Sequence, residues 1–129
     1  MSNTPTTAPI HLSAALIVKN EAAKLEACLQ SIAGWVDEIV IVDSGSSDAT
    51  LEIAQKYGAK VYSHTDWQGF GMQRQRAQYH VQGAWVMWLD ADERVTPELK
   101  QSLQAALNQY RDQQNVIFEF NRYSWAFGK

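Results

Sequence analysis

The stretch Glu38-Ile39-Val40-Ile41-Val42-Asp43-Ser44-Gly45-Ser46-Ser47-Asp48 decides the fold. Its Ile39 to Val42 core is apolar and β-branched at every position, without the polar alternation of a half-solvated strand, so both faces of this strand are expected to be buried. Strands of that kind lie inside parallel sheets covered by helices. The polar run from Asp43 to Asp48 is made of residues that hydrogen-bond their own backbone, which predicts a turn. A helix with Leu51, Ala54 and Tyr57 turned inward follows, and Gly58 sits where a helix-ending glycine is expected.

Working outward, Leu12 to Val18 is a short apolar strand, and Leu25, Cys28, Leu29 and Ile32 recur at the three- and four-residue spacing of an amphipathic helix. On the other side, Lys60 to His64 reads as a third strand, Gly69 to Val81 as a third helix or helical loop, and Trp85 to Leu89 as a fourth strand. Thr96-Pro97-Glu98 supplies an N-cap, a proline at the first helical position and an acid in the first turn, launching a helix to about Asn108. Val116 to Phe120 reads as a further strand. The alternation of strands and helices predicts an α/β fold: a mainly parallel, Rossmann-like sheet with helices on both faces. With no repeat and no internal linker, one domain is expected over 12–129, preceded by a flexible polar tail over 1–11.

Composition narrows the function. At 129 residues, 46% hydrophobic and 11% aromatic, the chain is globular. A net charge of −3 gives no basic face for nucleic acid, so no nucleic-acid partner is expected. The single cysteine, Cys28, falls on the apolar side of its helix, which suits packing in a reducing compartment. The N-terminus lacks the basic start and apolar stretch of a signal peptide, and the six-residue run Ala84 to Leu89 is far short of the roughly 20 apolar residues of a membrane span. A cytoplasmic location is expected, and association with the inner face of the cytoplasmic membrane is compatible with it.

Ligands of open α/β sheets gather at the carboxyl ends of the strands. Three such ends carry polar or acidic groups here: Lys19-Asn20-Glu21, Asp43-Ser44-Gly45 and Asp90-Ala91-Asp92. Asp90 and Asp92 stand two positions apart, so in an extended chain both project to one side, roughly 6 to 7 Å apart. Bare, they would repel, and a hard divalent ion such as Mg²⁺ or Mn²⁺ with oxygen ligands removes the conflict. The plainer alternative is that Asp90-Ala91-Asp92-Glu93 only closes a strand and opens a surface loop. Asp43, at the end of a buried strand, needs partners too: hydrogen-bond donors of a ligand, or the amides of Ser46 or Ser47 in its own turn. For Asn20-Glu21 the alternative to a ligand contact is a helix start.

Ala15-Leu16-Ile17-Val18-Lys19-Asn20-Glu21, Trp35 to Asp48 and Asp90-Ala91-Asp92-Glu93 together resemble family 2 glycosyltransferases of the GT-A fold, and within them the glucosyltransferases of the bacterial lipopolysaccharide inner core. The resemblance runs from about Leu12 to Leu99. It implies that Val18, Lys19 and Glu21 lie beside uracil, that Asp43, Asp90 and Ala91 contact the nucleotide, and that Asp92 coordinates Mg²⁺ or Mn²⁺ with Asp90 beside it. The segment Gly69 to Ala77 corresponds to a glycine-rich loop and helix near the donor, with Gln75 where relatives often carry asparagine. Arg74 or Arg76 would reach a phosphate, or else both lie on a solvated helix face. His64 is expected to be structural, while His11 and His80 carry no signal; Trp67, Trp85 and Trp88 are expected in the core or at its rim, with Trp67 placed to stack on a sugar.

The implied activity is metal-dependent inverting transfer of a hexose, glucose from UDP-glucose, to a lipid-linked saccharide of the lipopolysaccharide core or another surface polysaccharide. The segment Asn121 to Gly128 resembles the start of the acceptor-binding half, so that half and the general base are expected beyond Lys129; Glu119 lies in the right region but alternates like a solvent-facing strand residue. The alternative is a nucleotide- and metal-binding remnant without a base. A nucleotidyltransferase would want a glycine-rich basic loop where Asn20-Glu21 stands.

Overall fold

The computed structural model describes residues 12–83, 85–110, 117–120 and 123–127. The expected tail over 1–11, with His11, lies outside them, as do Ala84, Val116, Asn121, Arg122, Gly128 and Lys129. The elements follow in the order β1 (Leu12–Val18), α1 (Ala22–Ile32), β2 (Glu38–Asp43), α2 (Thr50–Lys56), β3 (Lys60–Ser63), α3 (Phe70–His80), β4 (Trp85–Leu89), α4 (Pro97–Tyr110), β5 (Ile117–Phe120) and β6 (Tyr123–Phe127). They form one sheet with strand order β3-β2-β1-β4-β6-β5. β1 to β4 run parallel, while β6 pairs antiparallel with both β4 and β5. β6 is a strand the sequence reading did not mark: Tyr123, Trp125 and Phe127 alternate with Ser124 and Ala126, a period of two that signals a strand.

The registers stack side chains into two cores. Ala14 pairs with Ile39 and Met87, and Leu16 with Ile41 and Leu89. This row joins Leu25, Cys28, Leu29 and Ile32 of α1, Ala54 of α2, and Leu99 and Leu103 of α4. The intervening row, with Ala15, Val40 and Val86, packs with Val81, Tyr62 and Trp88, on the side of the sheet that α3 covers. Each strand of the β1-β2 pair is thus buried on both faces, as its unbroken apolar run requires. Leu51 is only half-buried and lies outside the main cluster; Thr50, Ile53, Ala54 and Tyr57 form the inward side of α2. Gly58, at φ +76°, ends α2 in a Schellman turn, its N–H donating to Gln55 O at 3.0 Å and that of Ala59 to Ala54 O at 3.1 Å. Thr96 caps α4 as expected, its Oγ1 accepting from Leu99 N at 3.1 Å.

A buried polar knot fixes the amino-terminal edge of the sheet. Ser13 Oγ donates to Glu38 Oε1 at 2.5 Å and accepts from Gly83 N at 2.9 Å, Gln82 N donates to the same Oε1 at 2.9 Å, and Lys60 Nζ donates to Glu38 Oε2 at 2.8 Å. Burial alone would raise the Glu38 pKa, but these donors and the lysine charge together hold it below its ordinary value. The knot ties β1, β2, β3 and the entry to β4 together, and so sets how far each strand reaches at the opposite edge.

Candidate functional site

At that opposite edge, Val18 and Asp43 stand level, and Leu16 stands level with Leu89. The turns after β1, β2 and β4 therefore leave the sheet side by side, Asp43 and Asp90 being separated by one strand, about 10 Å. Strand order reverses between β1 and β4, because the chain goes outward from β1 to β3 and then returns across the sheet. Crevices open at such switch points. Two adjoining hollows occupy this one. The first, about 450 Å³, is lined by Ile17, Gly71, Arg74, Trp88, Asp90 and Glu93, with Phe70. The second, about 360 Å³, is lined by Val18, Lys19, Glu21, Ser44, Thr65 and Trp67, again with Ile17 and Phe70. The two shared residues make them neighbouring parts of one cleft.

The turns are locked to each other. Asn20, at φ +53°, accepts Ser47 N at 2.8 Å on its side chain, and its own N–H donates to Ser46 Oγ at 2.9 Å. The first amides of α1 are held from the β2 turn, Glu21 N by Thr50 Oγ1 at 2.9 Å and Ala22 N by Asp48 Oδ2 at 3.3 Å. The pair does stand at a helix start, Glu21 being the N-cap residue of α1 with its carbonyl accepting from Leu25 N at 2.8 Å, but neither side chain caps the helix: the capping oxygens come from Asp48 in the β2 turn and from Thr50 at the start of α2. Asp48 is held below its usual carboxylate range chiefly by the Thr50 hydroxyl. Asp43 is buried, and its carboxylate accepts from Gly45 N at 3.1 Å, Ser46 N at 3.1 Å and Ser46 Oγ at 2.5 Å. It shapes the turn that presents Ser44.

In the Asp90 turn, Asp90, Asp92 and Arg94 are exposed while Ala91, Glu93 and Val95 are buried. Asp90 and Asp92 thus share the outer side, and Glu93 is turned inward. Among the described residues no three histidine, cysteine or acidic side chains converge as a closed metal cage. A pair of exposed carboxylates fits Mg²⁺ or Mn²⁺, which keep waters and take further oxygens from a diphosphate. Cys28 lies beneath this turn, Sγ 3.7 Å from Asp90 O, and burial together with the nearby carboxylates pushes its thiol up to about 12. That suits the packing role read from sequence.

α3 separates the remaining candidates. Gln75 is exposed and lines a shallower depression with Gly71, Arg74, Gln78 and Trp88. Gln73, not singled out from sequence, is fully buried: its Nε2 donates to Ser44 Oγ at 2.8 Å and His64 O at 2.9 Å, and its Oε1 accepts from Arg76 at 2.7 Å. It pins α3 to the ends of β2 and β3, and its signal was its place one turn into the helix beside an inward Ala77. Arg76 is engaged with Asp66 at 2.9 Å, which holds that carboxyl below its usual range. Arg74 lies 4.4 Å over the Trp88 ring at the cleft wall, so of the two arginines it is the one facing the cleft. His64 meets His80, Nε2 to Nε2 at 3.3 Å, and His80 stacks on Tyr62. Trp85 is buried in the core, whereas Trp67 and Phe70 are 50% and 71% exposed and meet edge to face at the cleft rim.

A third hollow, about 440 Å³, lies at the amino-terminal edge beside Leu12, Trp35 and Asp37. It is of similar size but lies away from the strand ends and the carboxylate pair. Among the described residues no helix is long and apolar enough to cross a membrane.

Comparison with known proteins agrees with this geometry. A glycosyltransferase of Rickettsia bellii, described as uncharacterized, is 38% identical over 103 residues, which are 78% of this chain and 35% of that protein. The lipopolysaccharide core biosynthesis glycosyltransferase LpsC of Rhizobium meliloti is 38% identical over 96 residues, 71% of this chain and 35% of that one. The chain thus spans about a third of the length of these relatives. Glucosyl-3-phosphoglycerate synthase from Mycobacterium tuberculosis, solved with Mn²⁺, UDP and glucosyl-3-phosphoglycerate, shares the fold with a TM-score of 0.60 at 22% identity, over 91% of this chain and 56% of that one. The sequence profile of glycosyl transferase family 2 matches residues 13–127, taking in all three polar strand ends and the cleft they enclose, and the chain belongs to that family.

Proposed function

We infer that the chain is the donor-binding part of a metal-dependent inverting hexosyltransferase acting on a UDP-sugar. The observation that carries this is the single cleft at the switch point, whose two halves meet at Ile17 and Phe70. The half beside Val18, Lys19 and Glu21, with Trp67 and Phe70 at its rim, suits a flat base with polar edges. The half beside Asp90 and Arg74 suits the diphosphate and sugar. Asp92 and Asp90 would hold Mg²⁺ or Mn²⁺, which when bound offsets the charge that grows on the departing diphosphate. Arg74, braced on Trp88, adds a fixed guanidinium beside the phosphates. The Ser44 turn, shaped by Asp43, and the backbone at Ala91 complete the nucleotide contacts. The likeness to LpsC favours a lipopolysaccharide core saccharide as acceptor, the likeness to a glucosyl-3-phosphoglycerate synthase of Petrotoga mobilis favours glucose or another hexose as the group moved, and an acceptor carried on lipid at a membrane surface extends that reading.

Calorimetric titration of UDP with and without Mn²⁺ tests the donor site, and micromolar binding that needs Mn²⁺ is expected. The second reading is binding of nucleotide and metal without transfer. Incubation with UDP-[¹⁴C]glucose and deacylated core lipopolysaccharide distinguishes the two, since labelled acceptor forms only under the first.

A further inference from the structure

Glu93 is a buried acid in a turn that already carries two exposed ones, a costly placement unless its oxygens are used. Its Oε1 accepts from Asp90 N at 2.9 Å, and its own N–H donates back to Asp90 O at 3.0 Å. Asp92 is therefore held inside a closed loop whose two ends are joined twice. The loop is fastened to α1 below it: Cys28 Sγ meets Asp90 O, Val95 N donates to Ser31 Oγ at 3.0 Å, and Ser31 Oγ donates to Cys28 O at 2.6 Å. Ala91 and Val95 are buried on the same side as Glu93 and anchor it in the core. The outward direction of Asp90 and Asp92 is thus the consequence of three inward residues, and only Glu93 among them fixes the Asp90 backbone through a side chain.

We propose that Glu93 is a positioning residue: by clasping the Asp90 amide it sets the separation of the Asp90 and Asp92 carboxylates for a divalent cation shared with a diphosphate. This rests on the reading of the cleft given above. What matters in Glu93 is reach, not charge, and two substitutions separate the properties. Glu93→Gln keeps an acceptor oxygen at the same distance and loses the charge. Glu93→Asp keeps the charge and falls short by one methylene.

The experiment is calorimetry of UDP, in Mn²⁺ and in EDTA, on wild type, Glu93→Gln and Glu93→Asp, with melting curves to show each is folded. In Mn²⁺, Glu93→Gln should stay within about threefold of wild type, and Glu93→Asp should weaken about tenfold or more, the usual effect of losing a residue that orients a metal ligand. In EDTA the three should bind alike. Amide exchange without metal should show Asp90 N–H protected in wild type and Glu93→Gln and open in Glu93→Asp. The reverse order in Mn²⁺ would assign the effect to charge and overturn the proposal, as would equal binding by all three. If wild type shows no response to Mn²⁺, the reading of the cleft fails and the proposal with it, whereas a wild-type response with an indifferent Glu93→Asp overturns the proposal alone.

Discussion

Replacing Gly83 with alanine should destabilise the sheet at its amino-terminal edge. A Cβ built on Gly83 would lie 2.5 Å from Ser13 Oγ, 2.8 Å from Ser13 N and 3.1 Å from Trp85 O. Two of these atoms are backbone of central strands, so the neighbours cannot step aside as a flexible side-chain tip would. The Ser13 hydroxyl must leave its place, breaking its bonds to Glu38 and from Gly83. Each buried group left without a partner costs about 1 to 3 kcal/mol, so the substitution should cost about 2 to 4 kcal/mol. At about 3 to 6 °C per kcal/mol for a chain of this size, the melting temperature should fall by about 6 to 24 °C. Gly71 is the control: nothing lies within 4 Å of its Cβ position, and it sits inside α3. Gly71→Ala should be neutral or stabilise by up to about 1 kcal/mol through helix propensity. Urea and thermal unfolding followed by far-ultraviolet circular dichroism measure both. A Gly83→Ala variant within about 0.5 kcal/mol of wild type would refute the argument that this knot is rigid.

Acidification should weaken the same knot: a carboxyl held below its ordinary 4.5 in the folded state contributes stability above that value and loses it as pH falls through the lower folded value. Urea midpoints measured from pH 6 downward should drop less steeply in Glu38→Gln than in wild type; parallel curves would exclude Glu38. Cys28, buried with its thiol pushed up to about 12, should resist Ellman's reagent at pH 8 in the folded protein and react at once in 6 M guanidinium. Rapid reaction of the native thiol would contradict its place under the Asp90 turn. Phe70→Ala, which removes an exposed ring, should leave the melting temperature unchanged and weaken UDP binding about five- to tenfold, about 1 to 1.4 kcal/mol. Unaltered affinity would remove Phe70 from the cleft wall.

The fold was legible where burial is continuous. Ile39 to Val42 could only be an inner parallel strand, and the α1 stripe named its four buried residues correctly. The cleft was legible in outline, because strand ends carry ligands by topology and three of them ended in polar residues. Less visible was what each polar residue does there. Asp43 serves Ser46 in its own turn, 3 positions away, and Asn20 serves Ser47 on the neighbouring loop, 27 positions away, and nothing in sequence spacing distinguishes those partners from a ligand. Gln75 was singled out because relatives often carry asparagine there; Gln73 had no such signal, and on a weakly amphipathic helix only the rotation of α3 on the sheet shows which glutamine is buried. β6 was not marked because Asn121 to Gly128 was read only through its resemblance to the start of the acceptor-binding half, and its plain period of two went unused.

The central claim is that the diphosphate and its cation sit at the carboxyl-terminal edge of β1 and β4, on Asp90 and Asp92. Paramagnetic broadening of amide signals on adding UDP with a trace of Mn²⁺ measures this directly. The account predicts broadening around Asp90 to Glu93, Gly71 and Ile17, sharp signals at Leu12, Trp35 and Asp37 by the opposite hollow, and no selective broadening in Asp92→Ala. Broadening centred on that opposite hollow, or a pattern unchanged by Asp92→Ala, would contradict it.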